Sequence, residues 1–63
     1  MDNIGQKIKS ERLKKRLKQY ELAKEANISN TYLSDMEVGR SKPSLKTLDK
    51  IAKALGVDIK ELL

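Results

Sequence analysis

Histidine and cysteine, the residue types on which many catalytic and metal sites depend, are both absent from this sequence. A Ser-His or Cys-His nucleophilic dyad is therefore impossible, and a zinc site would need carboxylate ligands alone. The sequence also contains no phosphate-binding loop motif. We therefore expect no catalytic residues, no cofactor, no bound metal and no small-molecule substrate, and we predict that the chain is not an enzyme.

Hydrogen bonding and charge are the chemistry that remains, and the charge is concentrated at one end of the sequence. The net charge is +5, and residues 1–18 account for all of it, with seven lysines and arginines against two acidic residues. Residues 19–63 contain seven cations and seven anions. A one-sided basic surface suits a polyanion, namely DNA, RNA or an anionic membrane surface. The alternative is a lysine-rich face that only keeps the protein soluble.

Five short helices are predicted to position these groups, because the apolar spacing is helical throughout and never alternates as in a strand. Their expected ranges are about 3–16, 19–26, 30–38, 45–55 and 59–63. The expected N-caps are Asp2 or Asn3 for the first helix, then Ser29, Ser44 and Asp58 for the last three. The fourth helix should present an inner face of Leu45, Leu48, Ile51, Ala52 and Leu55.

A chain of 63 residues is long enough for one small domain, which we place over residues 1–63. No apolar stretch approaches the ~20 residues that a membrane helix needs. The first residues also lack the architecture of a signal peptide. The sequence therefore predicts a cytoplasmic protein without a membrane partner.

The segment 19–38 has the pattern of two short helices that cross closely at a turn. Ala23 is small enough for the crossing, and Asn27 tolerates the left-handed backbone that the turn requires. Ile28 and Leu33 would fill the angle between the two helices. This combination at this spacing is typical of a helix-turn-helix.

Many spaced positions from the first helix to Val57 agree with the pattern of one family. They are Ile4, Ile8, Arg12, Leu17, Gln19, Glu21-Leu22-Ala23, Ile28-Ser29, Tyr32-Leu33-Ser34, Met36-Glu37, Gly39-Arg40, Pro43-Ser44-Leu45, Leu48, Ile51-Ala52 and Ala54 to Val57. The chain resembles the lambda-repressor-like, Xre-type helix-turn-helix regulators of bacteria and phages. The resemblance implies an all-α, compact bundle of five short helices and a recognition helix over about 30–38. It also implies a sequence-specific, double-stranded DNA-binding transcriptional regulator, most simply a repressor.

In this family the N-terminal part of the third helix reads base edges in the major groove. The resemblance therefore assigns base contacts to four outward residues: Asn30, Thr31, Ser34 and Asp35. An asparagine amide suits adenine, a threonine methyl suits thymine, and a carboxylate can accept a hydrogen bond from cytosine but repels phosphate. The alternative is ordinary exposed polarity on a helix surface.

The resemblance also implies contacts to the DNA backbone, which position a protein without specifying a base. The expected phosphate contacts are Gln19, Tyr20, Ser29, Arg40, Ser41 and Lys42. Gln19 opens the second helix, where free backbone N–H groups attract a phosphate. Arg40 and Lys42 could instead belong to a solvated loop.

Arg12 and Glu37 occupy helix faces that are otherwise apolar. Two opposite charges on inward faces should pair, because an unpaired buried charge costs several kcal/mol. The resemblance implies the same buried bridge between the first and third helices. We interpret it as structural, fixing the recognition helix against the scaffold.

Three positions depart from the family pattern. Lys18 stands where a serine or threonine cap is usual, at a typical cost of about 0.5–2 kcal/mol. Asn27 replaces the commoner glycine, and Val38 places an apolar side chain where a polar or basic one is frequent.

Members of this family commonly pair two copies on a palindromic operator. A homodimer would use the apolar residues at the end of the chain, Val57, Ile59, Leu62 and Leu63. These residues could equally close the core of a single copy. An alternative function on the same fold is a protein-interaction module, such as an antitoxin or anti-repressor partner.

Overall fold

A computed structural model describes residues 3–63, which form four α-helices and a single 3-10 turn. The helices are α1 (Ile4–Lys14), α2 (Gln19–Ala26), α3 (Asn30–Glu37) and α4 (Leu45–Leu55), and the 3-10 turn spans Ile59–Glu61. The all-α prediction is confirmed, although the fifth expected helix is only this turn. No helix within 3–63 combines the length and the apolar character needed to cross a bilayer.

Side-chain caps explain where most of these elements begin. Asn3, Ser29 and Ser44 each accept a hydrogen bond from the backbone N–H three residues later, as expected for N-caps. Asp2, the other cap considered for α1, lies outside the described residues. The start of α2 differs, because the Glu21 carboxylate accepts from the Lys18 backbone N–H at 2.8 Å. This contact is one half of a capping box, and the lysine side chain has no acceptor to supply the other half.

All four α-helices end at a residue with a left-handed backbone. These residues are Arg16, Asn27, Gly39 and Gly56, with φ values of 58°, 58°, 86° and 73°. At the end of α1, the Leu17 N–H donates to the Arg12 carbonyl and the Arg16 N–H donates to the Leu13 carbonyl. This pair of bonds is the Schellman motif, and the other three helices end in the same way. The left-handed turn at Arg16 ends α1 at Lys14, earlier than expected, and α3 ends at Glu37 rather than Val38.

The core lies where the four helices and the 3-10 turn meet. Its buried apolar side chains are Ile8, Leu22, Ala23, Ala26, Leu33, Met36, Leu48, Ile51, Ala52, Leu55 and Leu62. The predicted inner face of α4 is correct except at Leu45, which is 68% exposed. Leu45 is the first residue of its helix, and the core begins only one turn later at Leu48.

Gly5 is buried in the first turn of α1 and permits a close approach to the end of α3. A Cβ atom at this position would clash with the carbonyl group of Met36 and come within 3.2 Å of the Glu37 carbonyl oxygen. The absence of a side chain at Gly5 therefore allows the two helices to pack closely. The close contact brings α1 against the helix that carries the candidate recognition surface.

Candidate nucleic-acid interface

The α2–turn–α3 unit is held by a small set of buried side chains. Ala23 is buried in α2, and the Ile28 N–H donates to its carbonyl oxygen at 3.0 Å. Asn27 adopts the left-handed conformation that the sequence predicted. Leu33 is fully buried and Ile28 packs against the core. The geometry is that of a helix-turn-helix.

One face of α3 remains available to a partner. Asn30 and Thr31 are exposed, and Ser34 and Asp35 are half-buried. Residues separated by four positions share a helix face, so Asn30 lies beside Ser34 and Thr31 beside Asp35. Together they present amide, hydroxyl and carboxylate groups, a set of donors and acceptors suited to hydrogen-bond readout.

The Ser29 hydroxyl has a defined task next to this face. Its oxygen accepts from the Tyr32 backbone N–H at 3.0 Å and caps α3. The hydroxyl hydrogen of Ser29 can still be donated to a phosphate. Tyr32 itself is half-buried and packs against the core.

The loop after α3 is tied back to Asp35. The Asp35 carbonyl oxygen accepts from the Arg40 N–H at 2.8 Å and from the Ser41 N–H at 3.3 Å. The Arg40 guanidinium also lies 3.8 Å from the Asp35 carboxylate, with its side chain 79% exposed. Lys42 is exposed as well. Both loop cations therefore follow the polar face of α3, and Arg40 reduces the negative potential of the Asp35 carboxylate.

Behind the polar face, a buried ion pair joins α1 to α3. Arg12 Nε donates to Glu37 Oε2 at 2.7 Å, and Arg12 Nη2 donates to Glu37 Oε1 at 3.0 Å. A third guanidinium nitrogen, Nη1, donates to the Leu17 carbonyl oxygen at 2.7 Å. Bidentate pairing of this kind is both strong and specific in geometry. Within residues 3–63, no buried side-chain nitrogen or oxygen lacks a hydrogen-bond partner.

Gln19 also belongs to this network, which the sequence did not predict. Its side-chain amide donates to Glu37 Oε1 at 3.0 Å. Within residues 3–63, the second amide hydrogen and the amide oxygen have no partner, so the same side chain can also bind a phosphate. Gln19 therefore connects the start of α2 to the end of α3.

The profile of the helix-turn-helix family matches residues 8–62. The chain belongs to the Xre-type helix-turn-helix family. The immunity repressor protein of Bacillus phage phi105 is 43% identical over 60 residues, which are 95% of this chain and 42% of that protein. The chain thus spans less than half the length of that relative.

Two solved structures of helix-turn-helix proteins superpose closely on this chain. The restriction-modification controller protein C.AhdI from Aeromonas hydrophila has a TM-score of 0.93 at 32% identity, covering 95% of this chain and 91% of that one. The P22 c2 repressor, solved in complex with a synthetic operator, has a TM-score of 0.90 at 28% identity. In that case the match covers 100% of this chain and 96% of the repressor chain.

The four residues considered for dimer contacts differ in how deeply they are buried. Leu62 is fully buried, so its assignment to a dimer contact is wrong, and it closes the core of its own copy. Val57 and Ile59 are half-buried and also pack against the core. Leu63 is 53% exposed and remains accessible to a second copy.

Proposed function

We propose that this chain is a transcriptional regulator that binds double-stranded DNA sequence-specifically, most simply as a repressor. The observation that best supports this proposal is the polar face of α3, which a helix-turn-helix scaffold holds in place. Two exposed cations, Arg40 and Lys42, follow this face. The similarity to a repressor that was solved with its operator supports the same use of the fold here.

In the proposed complex α3 enters the major groove and reads base edges. Asn30 makes a bidentate contact to adenine, and Thr31 places its methyl group against thymine. Ser34 donates or accepts one turn later on the same face. Asp35 accepts from the amino group of cytosine, and the nearby Arg40 guanidinium lowers its repulsion of the DNA backbone.

The phosphate contacts flank this reading face. Gln19, Tyr20 and Ser29 contact the backbone from the helix-turn-helix itself, and Arg40, Ser41 and Lys42 contact it from the loop after α3. Tyr20 suits this role because its side chain is 57% exposed at the start of α2. Contacts to phosphate fix the register of α3 on the duplex, whereas the four α3 residues specify the sequence.

We further propose that two copies bind a palindromic operator and that the protein acts in the cytoplasm of a bacterium, encoded by the host or by a phage. One copy covers few base pairs, and a two-fold pair of copies matches two half-sites about one helical turn apart. The function needs no catalytic step, since binding alone can block a promoter. The phage and bacterial origins of the similar proteins support this setting.

Selection from random DNA tests the proposal. The protein is incubated with a pool of random duplexes at low salt, the salt is raised in steps, and the retained duplexes are sequenced. We expect enrichment of inverted repeats whose half-sites are about one turn apart. Retention without enrichment would remove sequence specificity from the proposal. No retention even at low salt would overturn DNA binding and favour a protein-interaction module.

A further inference from the structure

The turn between α1 and α2 carries a group of cations outside the helix-turn-helix. Lys15, Arg16 and Lys18, named here the turn cations, are all exposed. Within residues 3–63, none of them forms an ion pair, whereas the neighbouring Lys14 pairs with Glu11 at 3.1 Å. The positive charge of these three groups is therefore available to an external anion.

The backbone of this turn is fixed relative to α3. The Leu17 carbonyl accepts from Arg12 Nη1 at 2.7 Å, and the Leu17 N–H donates to the Arg12 carbonyl at 3.1 Å. The same Arg12 guanidinium binds Glu37 at the end of α3 through two hydrogen bonds. One buried side chain thus sets the position of the turn and of the recognition helix together. Contacts from a fixed turn cost little ordering entropy on binding.

The turn cations also adjoin the proposed phosphate contacts of α2. Lys18 directly precedes Gln19, whose side chain is bonded to the same Glu37 carboxylate. The Lys18 ammonium lies 5.9 Å from the centre of the Tyr20 ring, so the lysine side chain extends toward the start of α2. A cation at this distance from a tyrosine ring is attracted to its face.

The side chain of Arg16 does not stabilise the backbone conformation that this residue adopts. Its φ of 58° lies in the left-handed region, which glycine adopts without strain and arginine does not. At the ends of α2, α3 and α4 the equivalent residues are asparagine or glycine. What arginine adds at the end of α1 is an exposed guanidinium.

We propose that the turn cations form a second phosphate-binding surface, which extends the contacted DNA backbone beyond the helix-turn-helix motif. The inference rests on the proposed function, because it adds contacts to the same bound duplex. A DNA backbone is the favoured partner because the turn is rigidly linked to the recognition helix and continuous with Gln19 and Tyr20.

Salt-dependent binding by matched variants of the full chain tests this surface. The double variant Arg16→Gln/Lys18→Gln is compared with Lys50→Gln/Lys60→Gln, which removes the same charge from exposed positions on α4 and the 3-10 turn. The association constant for the selected operator duplex is measured by fluorescence anisotropy over a series of salt concentrations. Each phosphate contact contributes about 0.9 to the slope of log K against log salt.

We expect the turn variant to have a slope about 1.8 shallower than the unsubstituted chain, whereas the control variant retains its slope. A turn variant that behaves like the control would overturn the inference and leave the proposed function intact. Absence of DNA binding by the unsubstituted chain would overturn both.

The single variant Arg16→Gly separates lost contacts from lost folding, because glycine relieves the left-handed backbone. We expect its melting temperature to rise while its slope becomes about 0.9 shallower. A rise in melting temperature with an unchanged slope would exclude Arg16 from the surface.

Discussion

Glu37 is a carboxylate whose side chain is only 1% exposed, and it accepts hydrogen bonds from both Arg12 and Gln19. Its removal by Glu37→Ala would leave the Arg12 guanidinium buried without its counter-ion. We therefore expect the free energy of unfolding to fall by about 3–5 kcal/mol, measured by urea denaturation. Glu61→Ala, at an exposed position of the 3-10 turn, is the control and should stay within about 0.5 kcal/mol of the parent. An unchanged midpoint for Glu37→Ala would contradict a structural role for the ion pair.

Arg16 provides a stability prediction of the opposite sign. Because glycine adopts a positive φ without a Cβ penalty, Arg16→Gly should raise the free energy of unfolding by about 0.5–1 kcal/mol. The adjacent Lys15 has an ordinary negative φ of −88°, so Lys15→Gly should lower stability instead. Thermal denaturation of the two variants gives the comparison. Equal effects of both substitutions would show that the backbone at Arg16 is not strained.

The Arg12–Glu37 pair and Arg16 show how far the contacts and the conformation of single residues can be predicted from the sequence. The pairing of Arg12 with Glu37 was predictable, because both charges interrupt apolar stripes. The left-handed Arg16 was not, because no property of arginine favours that conformation, and the turn adopts it to satisfy the last carbonyls of α1. Asn27, in the same conformation, was predictable because asparagine tolerates it.

Between elements, the approach of α1 to α3 depends on Gly5. Gly5→Ala would add a methyl group that clashes with the Met36 carbonyl, so a backbone shift must follow. Overpacking of this kind typically costs 1–3 kcal/mol, and we expect about 3 kcal/mol here because backbone atoms have little freedom to move. Gln6→Ala is the control on the exposed side of the same turn and should change stability little. A Gly5→Ala variant as stable as this control would contradict the close packing.

The packing between elements explains which parts of the fold could not be predicted from the sequence. Leu33 and Ile51 follow helical periodicity and are fully buried, as the pattern indicated. Leu45 fits the same period, but it stands at the start of α4, where no neighbouring element covers it. Gly5 gave no signal beyond its small size, because a close helix contact is a property of two segments distant in sequence. Gln19 likewise entered the Glu37 network only through the fold.

A substitution in α3, the proposed recognition helix, distinguishes the readout of bases from general attraction to the DNA backbone. Asn30→Ala should relax the base preference at one position of the half-site, with a loss of about 1–3 kcal/mol of discrimination there. Lys42→Gln, which removes a proposed phosphate contact, is the contrasting variant and should weaken binding to all sequences about equally. Competition between the selected operator and single-base variants of it measures both. A uniform loss of affinity for Asn30→Ala would assign that residue to the backbone contacts.

At the scale of the whole molecule, a small core supports a large proportion of exposed charge. The radius of gyration is 10.0 Å, and eleven apolar residues within 3–63 form the buried core. A domain of this size is only marginally stable by itself, so ligand binding contributes visibly to its stability. Leu62 closes the core from the last turn, which leaves Leu63 as the exposed apolar residue at that end.

The proposed pairing of two copies makes binding depend on the spacing of the half-sites. Two copies related by a two-fold axis lie on one face of the duplex only when the half-sites are about 10 bp apart, or a multiple of that distance. Insertion of about 5 bp places the second copy on the opposite face, where contact between the copies is lost. We therefore expect cooperative binding on the selected operator and independent binding on the spaced one, measured by titration of each duplex at constant salt. Independent binding on both duplexes would mean that each copy binds alone, and the inverted repeat would then reflect two separate events. Undiminished cooperativity on the spaced duplex would contradict the dependence on one face of the DNA.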